Sequence, residues 1–339
     1  FILILVGSQP LLAYGQYQPP HSRPGPAVDK LIFRAFAVEI VPPALDKEDI
    51  DLYIFPLRIT TARELQGKPG VEMLKAPATS LSILLNPAPA PRGRLNPFAI
   101  KEVRQAVQYL VNREFVAGEV YGGLAVPMFV PLSRFDYDYL TVRETVRSFN
   151  LNYDPELAKS MINNAMVKAG ATLKGGRWFL GDTPVSVKFI IRVEDERREI
   201  GDLISSELEK VGFTVERVYQ LFGPAVQKVY GSDPRVFDWH LYTEGWGRGS
   251  TEKYDYATVN QMYAPWLGNM PGWQEVGYWQ YENAEADLVG KKIYTGDFKD
   301  VRERDELYRK LTKIGLEDSV RIWVATVVNN FPIKAEVQG

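Results

Sequence analysis

Residues 242–281 bring together the side chains of this chain that are best suited to gripping a ligand. They contain four of its seven tryptophans and many of its tyrosines, among frequent glycines and prolines. Trp and Tyr rings offer large, rigid surfaces with a polar group at one end, which suits stacking on sugar rings or packing around peptide side chains. Composition alone leaves three interpretations of this segment: a core, an adhesive surface or a binding site.

Other chemistries find little support in the residue counts. The chain has no Cys and only two His, His21 and His240, which excludes thiolate chemistry and leaves too few ligands for a zinc site. We therefore expect no metal and no cofactor. The cluster "EDERREIGD" at residues 194–202 resembles paired catalytic carboxylates, but a solvated loop at the start of a helix explains it better. His240 lies in an apolar strand and is expected to be a core residue rather than a ligand.

The composition is that of a globular protein, with 339 residues of which 45% are hydrophobic and 24% charged. This length exceeds what one compact core usually serves, which predicts two lobes. A net charge of −2 gives no electrostatic reason to expect a nucleic-acid partner. Beyond the N-terminus, no segment approaches the roughly 18 to 20 apolar residues of a membrane-spanning helix. We therefore expect the body of the chain to be soluble.

Helical periodicity is clearest in three segments. Residues 96–116 carry apolar residues at steps of three and four, which predicts a helix with one buried face. In the second segment Asp154 is a natural N-cap, Pro155 fits the first turn, and Gly170 ends the helix. Residues 301–314 form the third.

Strands are predicted where β-branched, aromatic and Leu residues alternate or run together. These segments are residues 28–36, 49–57, 70–77, 80–87, 185–193, 213–219 and 320–328. A helix over residues 200–212 separates two of them and completes a β-α-β unit with a right-handed crossover. Strands alternating with helical patterns indicate an α/β layer with a mostly parallel sheet.

The N-terminus admits two interpretations. Residues 1–15 resemble the end of a secretory signal, and a Pro-rich linker follows up to residue 26. Alternatively, residues 1–6 form an ordered β-strand in this chain or in a neighbouring one.

Four motifs in order resemble one family. They are "VRQAVQYLVNREFVAGEVYGGLAVPMFVPLS", "YDPELAKSMINNA", the strand-helix-strand "VSVKFIIRVEDERREIGDLISSELEKVGFTVE" and "WHLYTEGWGRG". The chain resembles the extracellular solute-binding proteins of family 5, the peptide, nickel and oligosaccharide receptors of ABC importers. The resemblance covers residues 27 to about 335, and the chain looks most like the large archaeal surface-anchored members.

The resemblance implies a type II, two-lobed α/β receptor with mixed sheets flanked by helices, which closes on its solute and performs no catalysis. The first lobe is expected to be incomplete, because the chain is short for the family. Residues 27–95 would belong to the first lobe, 96–320 to the second, and 321–339 would return to the first. The implied partners are an oligopeptide or oligosaccharide solute and a membrane permease. The implied location is the cell surface or exterior, reached through an N-terminal signal, with an anchor in a part of the protein outside this chain.

Trp246 is the leading ligand-binding candidate, since it follows a predicted strand and lies inside the matched motif. Tyr242, Glu244 and Arg248 are further candidates in that motif. In "YGGLAVPMFVP" the resemblance adds Tyr121 and Phe129, although a structural loop is the favoured interpretation there. The other three tryptophans of residues 242–281 are expected to pack against their own lobe.

The motif departs from the peptide-binding pattern at one position. Those members place an Asp shortly after the "GW" pair to hold the peptide's ammonium group, whereas this chain has Gly249 there. Glu244 or Glu252 could substitute. The departure favours a sugar or a peptide that is longer or N-blocked, and the solute class stays open.

Two other functions remain open from sequence. The first is a truncated receptor lobe that self-assembles as a cell-surface structural subunit, using the N-terminal segment as an added strand. The second is an enzyme such as a glycosidase, which would need two carboxylates facing one pocket. No motif in the sequence demands such a pair.

Overall fold

The computed structural model describes residues 30–247, 254–275, 277–279 and 281–337. The chain divides into two compact units, residues 1–41 and residues 42–339. Within the first unit, residues 30–36 form no strand, so the strand predicted there is wrong for those residues. The predicted signal remnant, N-terminal strand and Pro-rich linker lie outside the described residues.

The helices account for most of the regular structure between the strands. They are α1 (Val41–Asp46), α2 (Ile59–Leu65), α3 (Lys101–Leu110), α4 (Arg113–Phe115), α5 (Tyr139–Ser148), α6 (Pro155–Lys168), α7 (Arg197–Lys210), α8 (Phe222–Tyr230), α9 (Thr258–Tyr263), α10 (Ala284–Thr295) and α11 (Val301–Asp318). Within the described ranges, none of these is long and apolar enough to span a membrane.

The strands form two sheets. They are β1 (Val71–Leu85), β2 (Ala125–Pro127), β3 (Ala171–Lys174), β4 (Arg177–Leu180), β5 (Thr183–Pro184), β6 (Ser186–Arg192), β7 (Thr214–Gln220), β8 (Leu241–Gly247) and β9 (Arg321–Lys334). Six of them build one sheet in the order β2-β9-β1-β8-β6-β7, and β3-β4-β5 build a small antiparallel sheet.

The large sheet is mixed. β6 pairs in parallel with β7 and β8, as the β-α-β prediction requires, whereas β1 pairs antiparallel with both β8 and β9. The sequence expectation of a mostly parallel sheet is therefore wrong, and the mixed α/β fold class is confirmed. The reason is that the long strands β1 and β9 run against their neighbours and occupy the middle of the sheet.

Three predicted strands differ from the structure. The segments 70–77 and 80–87 are one continuous strand, β1, whose pairing with β9 shifts register at Pro77/Thr79 and at Leu81/Ser82. Residues 49–57 contribute only an isolated bridge between Leu52 and Ile333, so the strand predicted there is wrong.

The local helix signals behaved as predicted in α6. The carboxylate of Asp154 accepts the N–H of Leu157 at 2.9 Å, Pro155 opens the helix, and Gly170 follows it with φ of +82°. The helix predicted over residues 96–116 is shorter, because α3 ends at Leu110 and Asn112 starts a new turn by accepting the N–H of Phe115.

Alternation along the strands gives the sheet two apolar faces. One face, with Leu81 and Ile191, packs against α3, α6 and α7. The other face, with Leu84 and Ile190, packs against α8 and against apolar residues between 239 and 281. The lobe boundary predicted at residue 95 falls inside the unit 42–339, where β1 pairs with β8. The predicted division into lobes stays a prediction.

Candidate functional site

The parallel strands of the large sheet end at a common edge. β6, β7 and β8 finish at Arg192, Gln220 and Gly247, and their parallel pairing places these ends on the same side. In open α/β sheets, ligands bind outside the carboxyl ends of such strands. Trp246 is the next-to-last residue of β8, so the leading sequence candidate lies at this edge.

Tyr242, Glu244 and Trp246 share one face of β8, because side chains two residues apart in a strand point the same way. Burial differs along this row. Tyr242 and Glu244 are buried, and Trp246 is half-buried. The row therefore runs from the core towards the edge, and Trp246 is its accessible end.

The Trp246 ring belongs to an aromatic group around Tyr230. The Tyr230 ring lies 6.1 Å from the rings of both Trp246 and Trp273, and 6.2 Å from that of Tyr242. The indole N–H groups of Trp246 and Trp273 are buried and have no hydrogen-bond partner among the described residues. A buried polar atom without a partner is unusual in a folded protein, and these two N–H groups share that state with the side-chain oxygen of Gln220 at the end of β7.

Glu244 is held by a buried ion pair. Its carboxylate accepts hydrogen bonds from Nε of Arg321 at 2.6 Å and from Nη2 at 3.0 Å. It also accepts hydrogen bonds from the hydroxyls of Ser82 and Tyr230. Burial, followed by the nearby Glu244 charge, raises the pKa of Tyr230 well above its ordinary value. These contacts give Glu244 a structural role behind Trp246, and a ligand role for it stays a prediction.

Tyr121 and Phe129 lie in different surroundings from this row. Tyr121 is 3% exposed and belongs to the core on the α3 and α7 side of the sheet, where burial raises its pKa well above the usual range. Phe129 is half-buried, and the guanidinium of Arg113 lies 4.7 Å from its ring centre. Burial lowers the pKa of Arg113 to about 9. Of Tyr121 and Phe129, only Phe129 packs against the same apolar cluster as Trp246.

Arg248, Gly249 and Glu252 lie outside the described residues. Of the other three tryptophans in residues 242–281, Trp266 meets the ring of Tyr294 edge-on at 5.4 Å, and Trp273 and Trp279 pack against the cluster that contains Tyr230.

The charged segment after β6 differs from its sequence interpretation. Glu196 is 8% exposed and Arg197 is 9% exposed, so the predicted solvated loop is wrong for these residues. Asp195 forms a bidentate pair with Arg197, and although burial opposes it, this ion pair lowers the pKa of Asp195. Their position between a parallel strand and the following helix is the sequence signal that could have placed them at the carboxyl edge.

His240 behaves as the predicted core residue. Its Nδ1 accepts the N–H of Lys188 at 3.1 Å, and burial, followed by the charge of Lys188, lowers its pKa to about 4. Among the residues that the structure describes, no group of three or more His, Asp or Glu side chains could hold a metal ion.

Solved structures of peptide-bound and sugar-bound binding proteins have the same fold. Over 89% of this chain, the structure superimposes with a TM-score of 0.69 and 19% identity on 55% of the oligopeptide-binding protein AppA from Bacillus subtilis in complex with a nonapeptide. The mannohexaose-bound periplasmic oligopeptide-binding protein of Thermotoga maritima gives a TM-score of 0.70 at 20% identity, over 90% of this chain and 55% of that one. The fold is therefore that of type II periplasmic binding proteins.

The sequence comparisons define the family. Residues 14–266 match the family described as "Bacterial extracellular solute-binding proteins, family 5 Middle", and the chain belongs to that family. It is 22% identical to the dipeptide-binding protein of Escherichia coli, over 93% of this chain and 53% of that protein. It is also 22% identical to AppA of Bacillus subtilis, over 64% of this chain and 37% of that protein. The chain thus spans about half the length, or less, of these relatives.

Proposed function

We propose that this protein is the solute-binding component of an ABC importer and captures oligopeptides or oligosaccharides. The observation that carries the proposal is the position of Trp246, half-buried at the carboxyl edge of the parallel strands in a chain of the solute-binding family. Its half-buried ring offers a stacking surface to a solute.

The proposed solute lacks a free ammonium group at this point of the site. The carboxylate of Glu244, which is the acid nearest to Trp246 along β8, already neutralises Arg321. A second positive charge would compete with a bidentate guanidinium for the same oxygens. This favours an oligosaccharide, or a peptide whose amino end lies elsewhere, and the mannohexaose in one structural relative supports including sugars.

In this proposal the protein acts outside the cytoplasmic membrane after export through an N-terminal signal, and a membrane permease receives the solute. The relatives are named as binding proteins, and no reaction is proposed for this chain. Trp246 contacts the solute. Tyr242 and Glu244 support the Trp246 side chain from the buried end of the same row. Phe129, Tyr121 and Arg248 are secondary candidates for contact with the solute.

The test is isothermal titration calorimetry on the full chain with two panels of probes, manno-oligosaccharides including mannohexaose and nonapeptides of varied sequence. Replacing Trp246 by Ala is expected to weaken binding at least about tenfold, as for a central aromatic anchor. Trp266→Ala is the matched control, because this residue lies in the same segment but packs against Tyr294.

Equal affinity of wild type and Trp246→Ala would remove Trp246 from the site. Binding by neither panel would contradict the proposed solute classes. An equal loss in both tryptophan variants would indicate a general effect on the segment rather than a contact.

A further inference from the structure

Three consecutive acids after β6 each hold a different element. Glu194 accepts the N–H of Phe222, the first residue of α8, at 2.6 Å. Asp195 pairs with Arg197, the first residue of α7. Glu196 accepts the N–H of Ile59, the first residue of α2, at 2.7 Å. The loop between β6 and α7 is therefore a junction of three helix starts.

The Arg197 side of this junction lies against β8. A Cβ atom on Gly245 would stand 2.5 Å from Nη1 of Arg197, so any larger residue at 245 would require the guanidinium to shift. Gly245 points to the face opposite Trp246, because neighbouring residues of a strand alternate. The strand that carries Trp246 is thus backed by Arg197.

Through Glu196 the junction contacts α2, a helix that is too short to be stable by itself. α2 has seven residues, too few for a helix to be stable alone in water. Arg58, at its N-cap, supplies no side-chain cap, so the Ile59 N–H depends on Glu196. Arg58 instead reaches back and donates from Nη2 to the carbonyl of Val193 at 2.6 Å. Two hydrogen bonds in opposite directions therefore join α2 to the junction.

The buried face of α2 and the turn that follows the helix indicate that α2 docks as one unit. Ile59, Ala62 and Leu65 are buried against the rest of the chain. Behind the helix, Gly67 and Gly70 both adopt positive φ, of +80° and +78°, and form a turn before β1. This turn separates the backbone of the helix from the continuous strand.

We propose that Glu196 is the latch that docks α2 onto the carboxyl edge of the sheet, and that loss of its hydrogen bond to Ile59 frees α2 as one unit. The latch joins a residue of segment 27–95 to a residue of segment 96–320, the two parts that the sequence predicts to be different lobes. The residues that make it are Glu196 and Arg58, one from each part.

Hydrogen exchange followed by mass spectrometry tests the latch on the full chain without added solute. Glu196→Ala should speed exchange of the amides of residues 59–66 by roughly ten- to hundredfold, as expected for the loss of a hydrogen bond to a charged group. Arg58→Ala should speed the same amides from the other side of the contact. Glu196→Gln keeps an acceptor oxygen but loses the charge, so its exchange over the same residues should lie between those of wild type and Glu196→Ala.

Glu199→Ala is the matched control, because Glu199 is exposed on the same helix one turn further on. Its exchange over residues 59–66 should equal that of wild type. Unchanged protection of residues 59–66 in Glu196→Ala would overturn the proposal, since burial alone would then hold the helix. A loss spread equally over α2, β1 and β8 would also overturn it, because it would show a general structural role instead of a local latch.

Discussion

Replacing Glu244 by Leu is expected to lower the free energy of unfolding by about 3–5 kcal/mol, the usual result of leaving one member of a buried ion pair without its counter-charge. The side chains of Arg321 and Glu244 are 0% and 1% exposed, so water cannot replace the lost carboxylate. The hydroxyls of Ser82 and Tyr230 would lose their acceptor as well.

The double change Glu244→Leu with Arg321→Met should be more stable than Glu244→Leu alone, because neither charge then remains buried. Full recovery is not expected. Arg321 also donates to the carbonyls of Met262 and Asn269, and the loss of this donor offsets part of the gain.

The assay is urea unfolding followed by tryptophan fluorescence at pH 7. Glu209→Leu is the control, since its ion pair with Arg217 is partly exposed and is expected to contribute less than about 1 kcal/mol. A cost below about 1 kcal/mol for Glu244→Leu, or a double variant no more stable than the single one, would refute the reasoning.

Two other changes should affect stability in predictable directions. Gly201→Ala should destabilise by about 1–3 kcal/mol, because its Cβ would lie 2.6 Å from Ile191, whereas Gly223→Ala, with open space around it, should stabilise by about 0.5–1 kcal/mol. Thermal melts of both variants check this, and shifts of the same sign would contradict it. His240 has a folded pKa of about 4 against an ordinary 6.5, so the unfolded chain takes up a proton first as the pH falls. Stability should therefore drop by about 2 kcal/mol between pH 7.5 and pH 5. His240→Asn, which keeps an acceptor for Lys188, should remove that part of the drop in urea titrations, and an unchanged pH dependence would argue against it.

Elements with local signals could be predicted from the sequence. The cap at Asp154, the proline after it and the glycine at 170 all act within one helix, so their effects did not depend on the rest of the fold. The β-α-β unit was predicted for the same reason. Residues 49–57 have a strand-like composition, but their pairing depends on residues near 333, and only the bridge of Leu52 forms.

The candidate site was only partly accessible to sequence reasoning. Trp246 could be named because it follows a predicted strand and lies inside the motif that resembles the family, and its role in binding stays a prediction. The junction at residues 194–196 could not, because its partners Ile59 and Phe222 are distant in sequence and only the fold brings them close. A run of charged residues predicts a segment exposed to solvent. Here contacts with residues distant in sequence hold part of that run in the interior.

The pairing of β1 with β9 also has a consequence for how the chain folds. During synthesis from the amino end, residues 71–85 emerge long before residues 321–334, and contacts between such distant segments form slowly because a large loop must close first. β8 can cover one edge of β1 in the meantime, while the other edge stays open. Completion of the large sheet is therefore expected to be a late step, taken when the last strand enters between β2 and β1.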